Sequence, residues 1–176
     1  MLEIDKKKII EYNNFQFEIY ELNIFKRLGK AMNESIQQSL KLFIVLSRAN
    51  RSINDVVNKY IAEQGLNPTE FAVLELLYHK GDQPLQQIGG KILLASGSIT
   101  YVVDKLEQKD YLRRVACKED RRVTFAQITE KGKNFVESIF PEHESRIDEI
   151  MNVLTAEEKE TVIELVKKIG YKALDN

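Results

Sequence analysis

The sequence predicts a mainly α-helical fold with one small β-hairpin, in the order α-α-α-α-β-β-α-α. Three observations support this order. Long segments near both ends repeat apolar residues at helical spacing, shorter helical patterns lie between them, and two strand-like runs flank a polar turn at 117–122. The long flanking helices and the short central elements are therefore expected to form different parts of the molecule.

The first long segment is a predicted helix at about 35–64. Around 40–46 its apolar face is wider than one packing partner within the chain would need. Gly65 is placed to end the helix at a C-cap position. Residues 1–33 precede it as an N-terminal extension whose structure stays open, because its apolar residues fit both a strand and a helix.

The central helices begin at a strong capping signal, Asn67-Pro68-Thr69-Glu70. Asparagine suits the N-cap, proline the first helical position, and a glutamate three residues after the cap completes a capping box. The helix that this signal opens is expected to end at 79–81. Shorter helices are predicted at about 85–92 and 96–108.

Two short strands are predicted next, at 112–116 and 123–128, joined by the polar turn. A long helix is expected over 129–154, with a kink at Pro141. The last helix, 155–174, opens with its own capping box.

The composition is that of an ordinary globular chain. Of 176 residues, 43% are hydrophobic and 30% charged, which fits one domain with a buried core. The first residues lack the apolar stretch of a secretory signal, and no uncharged run is long enough to cross a bilayer. The single cysteine, Cys117, excludes an internal disulfide and suits a reducing compartment. We therefore expect a cytoplasmic protein.

Charge is distributed unevenly along the chain. The net charge is −1, but residues 105–122 hold seven basic and four acidic side chains, so this stretch is +3 and the remainder −4. DNA binding requires a local cationic face rather than a basic average. The stretch is compatible with a nucleic-acid contact and does not by itself establish one.

Two short helices followed by a hairpin with a basic tip are the arrangement of a winged helix-turn-helix. The helix at 96–108 has one apolar stripe that must face the core, formed by Ile99, Val102, Val103 and Leu106. This stripe turns outward a set of small or hydrogen-bonding residues that suits a major groove: Gly97, Ser98, Tyr101, Asp104, Lys105 and Gln108, with Thr100 at the margin. The alternative is a solvated helix face without a ligand.

The tip of the hairpin carries Arg121 and Arg122. An arginine at the end of a two-stranded ribbon can enter a narrow minor groove, whose negative potential attracts it. Asp120 would repel phosphate, so its better role is to hold an arginine in a fixed orientation through a charge-assisted pair. The alternative for this basic turn is solubility alone, which a helix-turn-helix directly upstream disfavours.

Four segments resemble the MarR family of transcriptional regulators: 95–107, Tyr111-Leu112-Arg113-Arg114, Asp120-Arg121-Arg122 and Ile128-Thr129-Glu130-Lys131-Gly132. The most specific mark of that family is Asp-x-Arg followed by a strand and Leu-Thr-x-x-Gly, with Ile128 here in place of leucine. The resemblance implies a winged helix-turn-helix domain over 34–174. Within it we expect a DNA-binding lobe at about 67–128 and long dimerisation helices at about 35–64 and 129–174.

The resemblance also implies a triangular homodimer that binds double-stranded DNA at a near-palindromic operator. The first helix and the last two would pack across the two-fold axis, and each wing would reach into a minor groove. By position, Arg122 would be the minor-groove arginine and Asp120 its brace. The expected DNA contacts are Ser96, Ser98, Thr100, Tyr101, Lys105, Arg114, Lys118, Asp120, Arg121 and Arg122.

The resemblance further implies a repressor that a small aromatic or phenolic effector releases from DNA. The stretches 69–75 and 96–101 look most like the hydroquinone-responsive repressors, which adds a quinone to the candidate effectors. Phe43, Tyr60 and Phe71 are candidates for lining the effector site. Aromatic side chains at helical spacing also fit a plain core, so no effector-site residue is assigned.

An enzyme is the first alternative in function. The only histidines, His79 and His143, have plain interpretations, at a helix C-terminus and just after the expected kink. One cysteine, two separated histidines and no phosphate-binding loop leave little from which to build a metal site, a nucleophile pair or a nucleotide site. We therefore expect no catalytic residue, metal or cofactor.

A thiol-based redox-sensing regulator is the second alternative. Cys117 lies close in sequence to Arg114, Lys118 and Arg121, cations that can lower the pKa of a thiol. Thiol sensors of the resembled family usually carry the cysteine near the N-terminus, whereas this one belongs to the hairpin. An incidental cysteine is the simpler interpretation.

Overall fold

The described helices and strands follow the predicted order, with one added strand. The computed structural model describes residues 34–92, 99–117, 119–120 and 122–175. Its helices are α1 (Glu34–Glu63), α2 (Pro68–Lys80), α3 (Leu85–Lys91), α4 (Ile99–Gln108), α5 (Glu130–Met151) and α6 (Ala156–Leu174). Its strands are β1 (Gln83–Pro84), β2 (Leu112–Ala116) and β3 (Thr124–Ile128). The N-terminal extension 1–33 and the predicted helix start at 96–98 lie outside the described residues.

The chain divides into two compact units between Ser52 and Ile53, a point inside α1. In the first unit, none of the described residues 34–52 is buried, and Phe43 is 68% exposed. The second unit contains the sheet, the remaining helices and the hydrophobic core.

The capping signals predicted for the central helices are confirmed. The side chain of Asn67 accepts a hydrogen bond from the backbone N–H of Glu70 (2.8 Å), and the Glu70 carboxylate accepts one from the Asn67 N–H (3.0 Å). Gly65 follows α1 with a φ of 75°, the left-handed conformation that favours glycine. Lys109 donates to both the Gly65 carbonyl (2.9 Å) and Glu70 (3.0 Å), which ties this turn to the segment after α4.

The sheet has three antiparallel strands in the order β1-β3-β2. The two predicted strands pair in the register Leu112↔Ile128 to Ala116↔Thr124. Strand β1 was not predicted, because two residues that include a proline carry too little strand pattern, and proline is tolerated only at a sheet edge. The predicted start of the last strand is one residue early, since the Val123 N–H donates to the Asp120 carbonyl (2.9 Å) inside the turn.

The core of the second unit lies where the central helices meet the sheet. Its largest fully buried side chains come from α2, α3, α4, β2 and α5: Leu74, Leu77, Ile88, Leu106, Leu112, Val73, Val103 and Val136. This core fixes α4 and the β2–β3 hairpin on one rigid base, because close-packed interiors leave little room for movement.

The Ile-Thr-x-x-Gly motif has a steric explanation at the start of α5. Thr129 caps the helix by accepting from the Gly132 N–H (3.0 Å), and its own N–H donates to the Tyr111 carbonyl (3.0 Å). A Cβ added to Gly132 would lie only 2.1 Å from that carbonyl oxygen. The helix therefore approaches the backbone before β2 at a distance that only glycine allows.

The last two helices differ from the central ones in burial. Helix α5 runs through Pro141 and ends at Met151, three residues before the predicted end. Asn152 is its C-cap, and the Asn152 N–H still donates to the Asp148 carbonyl (2.8 Å). The kink at Pro141 stays a prediction. Helix α6 opens with the predicted capping box of Thr155 and Glu158, and none of its residues is buried.

Candidate nucleic-acid interface

Helix α4 presents a polar edge above an apolar stripe, as its pattern predicts. Val102, Val103 and Leu106 are at most 3% exposed, whereas Tyr101 is 57% exposed. Thr100 is also exposed, and the Lys105 ammonium lies 5.5 Å from the centre of the Tyr101 ring, close enough for a cation–π contact. The predicted contacts Ser96 and Ser98, which precede this helix, lie outside the described residues.

The tip of the hairpin holds one arginine in a defined orientation. Arg122 donates from Nε and Nη2 to the two carboxylate oxygens of Asp120, at 3.1 Å each, and its backbone N–H donates to Oδ1 at 3.0 Å. The hydrogen bonds from Arg122 lower the pKa of Asp120, which keeps the carboxylate charged. The side chain of Arg122 is nevertheless 91% exposed. The hairpin therefore offers an oriented guanidinium to an external partner, whereas Lys118 and Arg121 lie outside the described residues.

Arg114 differs from Arg122 in its surroundings. Its guanidinium forms ion pairs with Asp104 (Nη2–Oδ1, 2.5 Å) and with Glu107, both on α4. Partial burial lowers the pKa of Arg114, but the hydrogen bonds that its guanidinium donates to the carboxylates of Asp104 and Glu107 outweigh this effect, so the net shift is upward. Its side chain is 27% exposed. Of the predicted DNA contacts that are described, Arg114 is the one whose charge is already engaged by two acids.

The opposite face of the hairpin base carries a chain of hydrogen bonds across the sheet. Arg113 donates to the side-chain oxygen of Gln127 (2.7 Å), and the Gln127 amide donates to Asp82 (2.7 Å). These contacts connect β2, β3 and the turn before β1. The root of the hairpin is therefore fixed on both faces, while its tip projects outward.

A separate, largely apolar cavity of about 570 Å³ lies in the second unit. It is lined by side chains from α1, α2, α5 and the end of α3, among them Val57, Phe71, Glu75, Ile92, His143 and Ile147. His143 is only 7% exposed, and its ring lies 4.8 Å from that of Phe71 and 5.8 Å from that of Phe140. Burial lowers the pKa of His143, although the charges of Glu75 and Glu144 act in the opposite direction.

Of the three aromatic candidates for this cavity, only Phe71 is among its lining residues. Tyr60 is buried elsewhere in the second unit, where its hydroxyl donates to the Ile139 carbonyl (2.8 Å) and its ring lies 4.8 Å from the Arg146 guanidinium. His143 was missed as a lining residue. Its four-residue spacing to Ile147 and Met151, which also line the cavity, places all three on one helical face and was the available signal.

Two other kinds of feature, a metal site and a membrane-spanning helix, are absent from the part of the chain that the structure describes. Over 34–92, 99–117, 119–120 and 122–175, no three histidine, cysteine or acidic side chains are grouped so that they could hold a metal ion. Within the same ranges, no helix combines the length and apolar character that crossing a membrane requires.

Comparison with known proteins places the chain among DNA-binding regulators. The sequence model of the MarR family matches residues 66–124. The HTH-type transcriptional regulator MhqR of Bacillus subtilis (strain 168) is 69% identical over 137 residues, which cover 78% of this chain and 94% of that protein. The uncharacterized HTH-type transcriptional regulator YkoM of the same strain is 42% identical over 78% of this chain and 89% of its own length.

Solved structures agree on the fold. AbsC, a MarR family transcriptional regulator from Streptomyces coelicolor, superposes with a TM-score of 0.70 at 17% identity over 84% of this chain and 100% of its own. Sco3205 of the same organism, a MarR family regulator solved in complex with DNA, gives 0.70 at 16% identity over 81% of this chain and 90% of its own. The chain belongs to the MarR family and is a DNA-binding transcriptional regulator with a winged helix-turn-helix fold.

Proposed function

We propose that this regulator is a cytoplasmic homodimeric repressor that binds a near-palindromic operator and is released from it by a small aromatic or phenolic effector. In this proposal the lobe at about 67–128 reads DNA, and the helices at about 35–64 and 129–174 form the dimer. The N-terminal extension 1–33 is assigned no role.

The observation that carries the DNA-binding part is the pairing of an exposed, oriented arginine with an exposed helix edge on one packed core. Arg122 would enter a minor groove while Asp120 holds it, and Tyr101 would face the major groove. The proposed contacts within the described residues are Thr100, Tyr101, Lys105, Asp120 and Arg122. Ser96, Ser98, Lys118 and Arg121 are further proposed contacts. Arg114, which was also expected to contact DNA, is left out of this set because its guanidinium is paired with Asp104 and Glu107.

Exposed apolar side chains on α6 support the proposed dimer. This 19-residue helix buries none of its residues, and Leu165, Ile169 and Leu174 are 57%, 44% and 83% exposed. A continuous apolar stripe of this kind marks an interface. A second copy is the proposed partner because most oligomers of soluble proteins are symmetric, and a two-fold axis lets one stripe cover itself.

The cavity lined by Phe71 and His143 is the proposed effector site. Its volume of about 570 Å³ suits a small ring, and most of its lining is apolar. Since burial lowers the pKa of His143, its imidazole is neutral near pH 7 and has one donor and one acceptor nitrogen for a hydroxyl or a carbonyl. The likeness of 69–75 and 96–101 to hydroquinone-responsive repressors points to hydroquinones and quinones as the class to test.

The DNA-binding part is tested by selecting a bound duplex from a random pool and measuring its affinity for variants by fluorescence anisotropy. Arg122→Ala should weaken binding by about 1–3 kcal/mol per half-site, the usual scale for an arginine contact. Arg113→Ala is the matched control, because it removes the same charge at the root of the hairpin, where Arg113 is bonded to Gln127. Equal losses for the two variants on the selected and on a scrambled duplex would contradict the proposed contact.

The effector part is tested by release of the selected duplex on titration with hydroquinone and p-benzoquinone. His143→Leu should bind the duplex as the unchanged protein does and respond far less to either compound. Cys117→Ser is measured alongside, since a quinone can also modify a thiol. If His143→Leu is released at the same effector concentration as the unchanged protein, the cavity is not the effector site.

A further inference from the structure

Arg114 connects the helix that is proposed to read the major groove with the wing that is proposed to read the minor groove. Its guanidinium contacts two acids one helical turn apart, Asp104 and Glu107, while its backbone belongs to β2. The contact with Asp104 is 2.5 Å between Nη2 and Oδ1. Because the two acids lie on α4, these pairs join the elements that carry Tyr101 and Arg122.

Glu107 holds Arg114 at two points. One carboxylate oxygen contacts the guanidinium, and the other accepts the backbone N–H of Arg114 at 3.0 Å. Strand β2 is the edge of the sheet, with β3 on one side only. Glu107 therefore satisfies an outward-facing N–H that an edge strand would otherwise leave to solvent, and it fixes the backbone of the strand as well as its side chain.

Direct phosphate binding is a poor description of Arg114. Two carboxylates surround one guanidinium, so this cluster is net negative, and the side chain is 27% exposed compared with 91% for Arg122. A phosphate would have to compete with both carboxylates for this guanidinium. Exposed single ion pairs contribute little to the free energy of unfolding. The main consequence of this cluster is therefore geometric, because Arg114 contacts two acids and its backbone N–H is bonded as well, which fixes the position of β2 beside α4.

We propose that Arg114, Asp104 and Glu107 are positioning residues that hold α4 and the wing at a fixed relative orientation, so that both engage one DNA site together. This inference rests on the proposed DNA-binding surface. It replaces the expectation that Arg114 itself contacts DNA. The cluster acts through Tyr101 and Arg122 and makes no contact with bases.

The sign of the acid variants separates positioning from phosphate binding. Asp104→Asn and Glu107→Gln keep the shape of each side chain and remove one negative charge from the DNA-facing helix. Positioning predicts that each weakens binding to the selected duplex by about three- to tenfold, the range of coupling between residues in one network. If Arg114 binds phosphate, freeing it from a competing acid should tighten binding instead.

Three further measurements start from Arg114→Met, which keeps much of the apolar stem. Positioning predicts a salt dependence of log Kd like that of the unchanged protein, whereas a lost phosphate contact lowers the slope by about one ion. The positioning role also predicts that Arg114→Met has a smaller ratio of affinity for the selected duplex to affinity for the scrambled duplex, because a misaligned α4 and wing lose sequence preference. The double variant Arg114→Met/Glu107→Gln should be no weaker than Arg114→Met by more than about twofold, because the network is already broken.

Thermal unfolding accompanies every variant, and Arg114→Lys is used if Arg114→Met fails to fold. Tighter binding by either acid variant, or a lower salt slope for Arg114→Met, would overturn the positioning role. If the proposed DNA-binding surface is itself wrong, the result differs: Tyr101→Ala and Arg122→Ala would bind the selected duplex with the affinity of the unchanged protein. The positioning role alone is wrong if those two lose affinity while the acid variants do not.

Discussion

The DNA-binding lobe and helix α6 differ in whether their apolar side chains are buried. In the lobe, Leu74, Leu77 and Leu106 are at most 1% exposed and pack within one chain. Helix α6 has a comparable density of apolar residues and buries none of them. The lobe therefore buries its apolar side chains within one chain, and its proposed function lies in exposed polar side chains. Helix α6 leaves apolar side chains exposed, and we propose that a second copy covers them.

This difference has a consequence for how substitutions act. A change inside the lobe alters the free energy of unfolding, because close packing leaves no space for relaxation. A change on α6 should alter assembly and leave the folding of one chain nearly intact.

The largest effect is expected at Gly132, where a Cβ would lie 2.1 Å from the Tyr111 carbonyl oxygen. Gly132→Ala should cost about 3 kcal/mol or more of unfolding free energy, since a backbone atom and not a flexible side chain must move. The control is Gly90→Ala in α3, where an added Cβ meets nothing within 4 Å and a helix favours alanine. Equal urea midpoints for the two variants would show that α5 packs less tightly against the backbone before β2 than described.

The second prediction concerns assembly through α6. Val166→Glu places a charge on the apolar stripe, and burying it against a second copy without a partner would be costly. Sedimentation equilibrium should change from about twice the chain mass of 20.4 kDa to the chain mass itself. Lys168→Glu introduces the same side chain on the other side of the helix from Val166, because two residues correspond to about 200° of rotation, and it should remain dimeric. A dimer for both variants would remove α6 from the interface.

A smaller effect is expected from pH. Burial lowers the pKa of His143 below its ordinary value of about 6.5. Above that value both the folded and the unfolded chain hold a neutral imidazole, and as pH falls from about 7 towards 5 the unfolded chain gains this proton first. The free energy of unfolding therefore decreases on acidification, because folding then requires His143 to give up a proton.

His143→Gln should reduce this loss relative to the unchanged protein, as measured by urea unfolding at pH 5 and pH 7. His79→Gln is the control for the change of residue type, because His79 is exposed at the end of α2. An identical pH dependence for His143→Gln and the unchanged protein would contradict the lowered pKa.

The smallest effect is expected at Cys117, which is half-buried at the end of β2. If the cysteine is incidental, Cys117→Ser should bind the selected duplex with unchanged affinity and release it at the same concentration of hydrogen peroxide or quinone. A variant that binds DNA normally but no longer releases it on oxidation would favour the thiol-sensing alternative.

Much of the fold was predictable because its signals are local. The Asn67–Glu70 box, the stripe of Val102, Val103 and Leu106 and the Thr155 cap each act within a few residues, and the structure confirms them. Strand β1 escaped prediction because its pairing with β3 joins residues about forty positions apart, and two residues cannot show a period.

The site was less predictable than the fold. An arginine in a basic segment indicates a DNA contact, yet the partners of Arg114 are set by how β2 packs beside α4, which no local pattern encodes. The Asp120–Arg122 pair was accessible from sequence because the two residues are neighbours in one turn. His143 needed the positions of two other helices before it could be assigned to the cavity.

In the proposed interface Asp120 serves DNA binding by orienting Arg122, and the variant Asp120→Ala isolates that role. The measurement is fluorescence anisotropy with the selected and scrambled duplexes at two salt concentrations. Glu119→Ala is the matched control, since it removes the same charge one residue away and leaves the Asp120–Arg122 pair in place. We predict that Asp120→Ala binds the selected duplex more weakly than the unchanged protein, whereas Glu119→Ala binds it equally well or more tightly. Tighter binding by Asp120→Ala would contradict this role of Asp120.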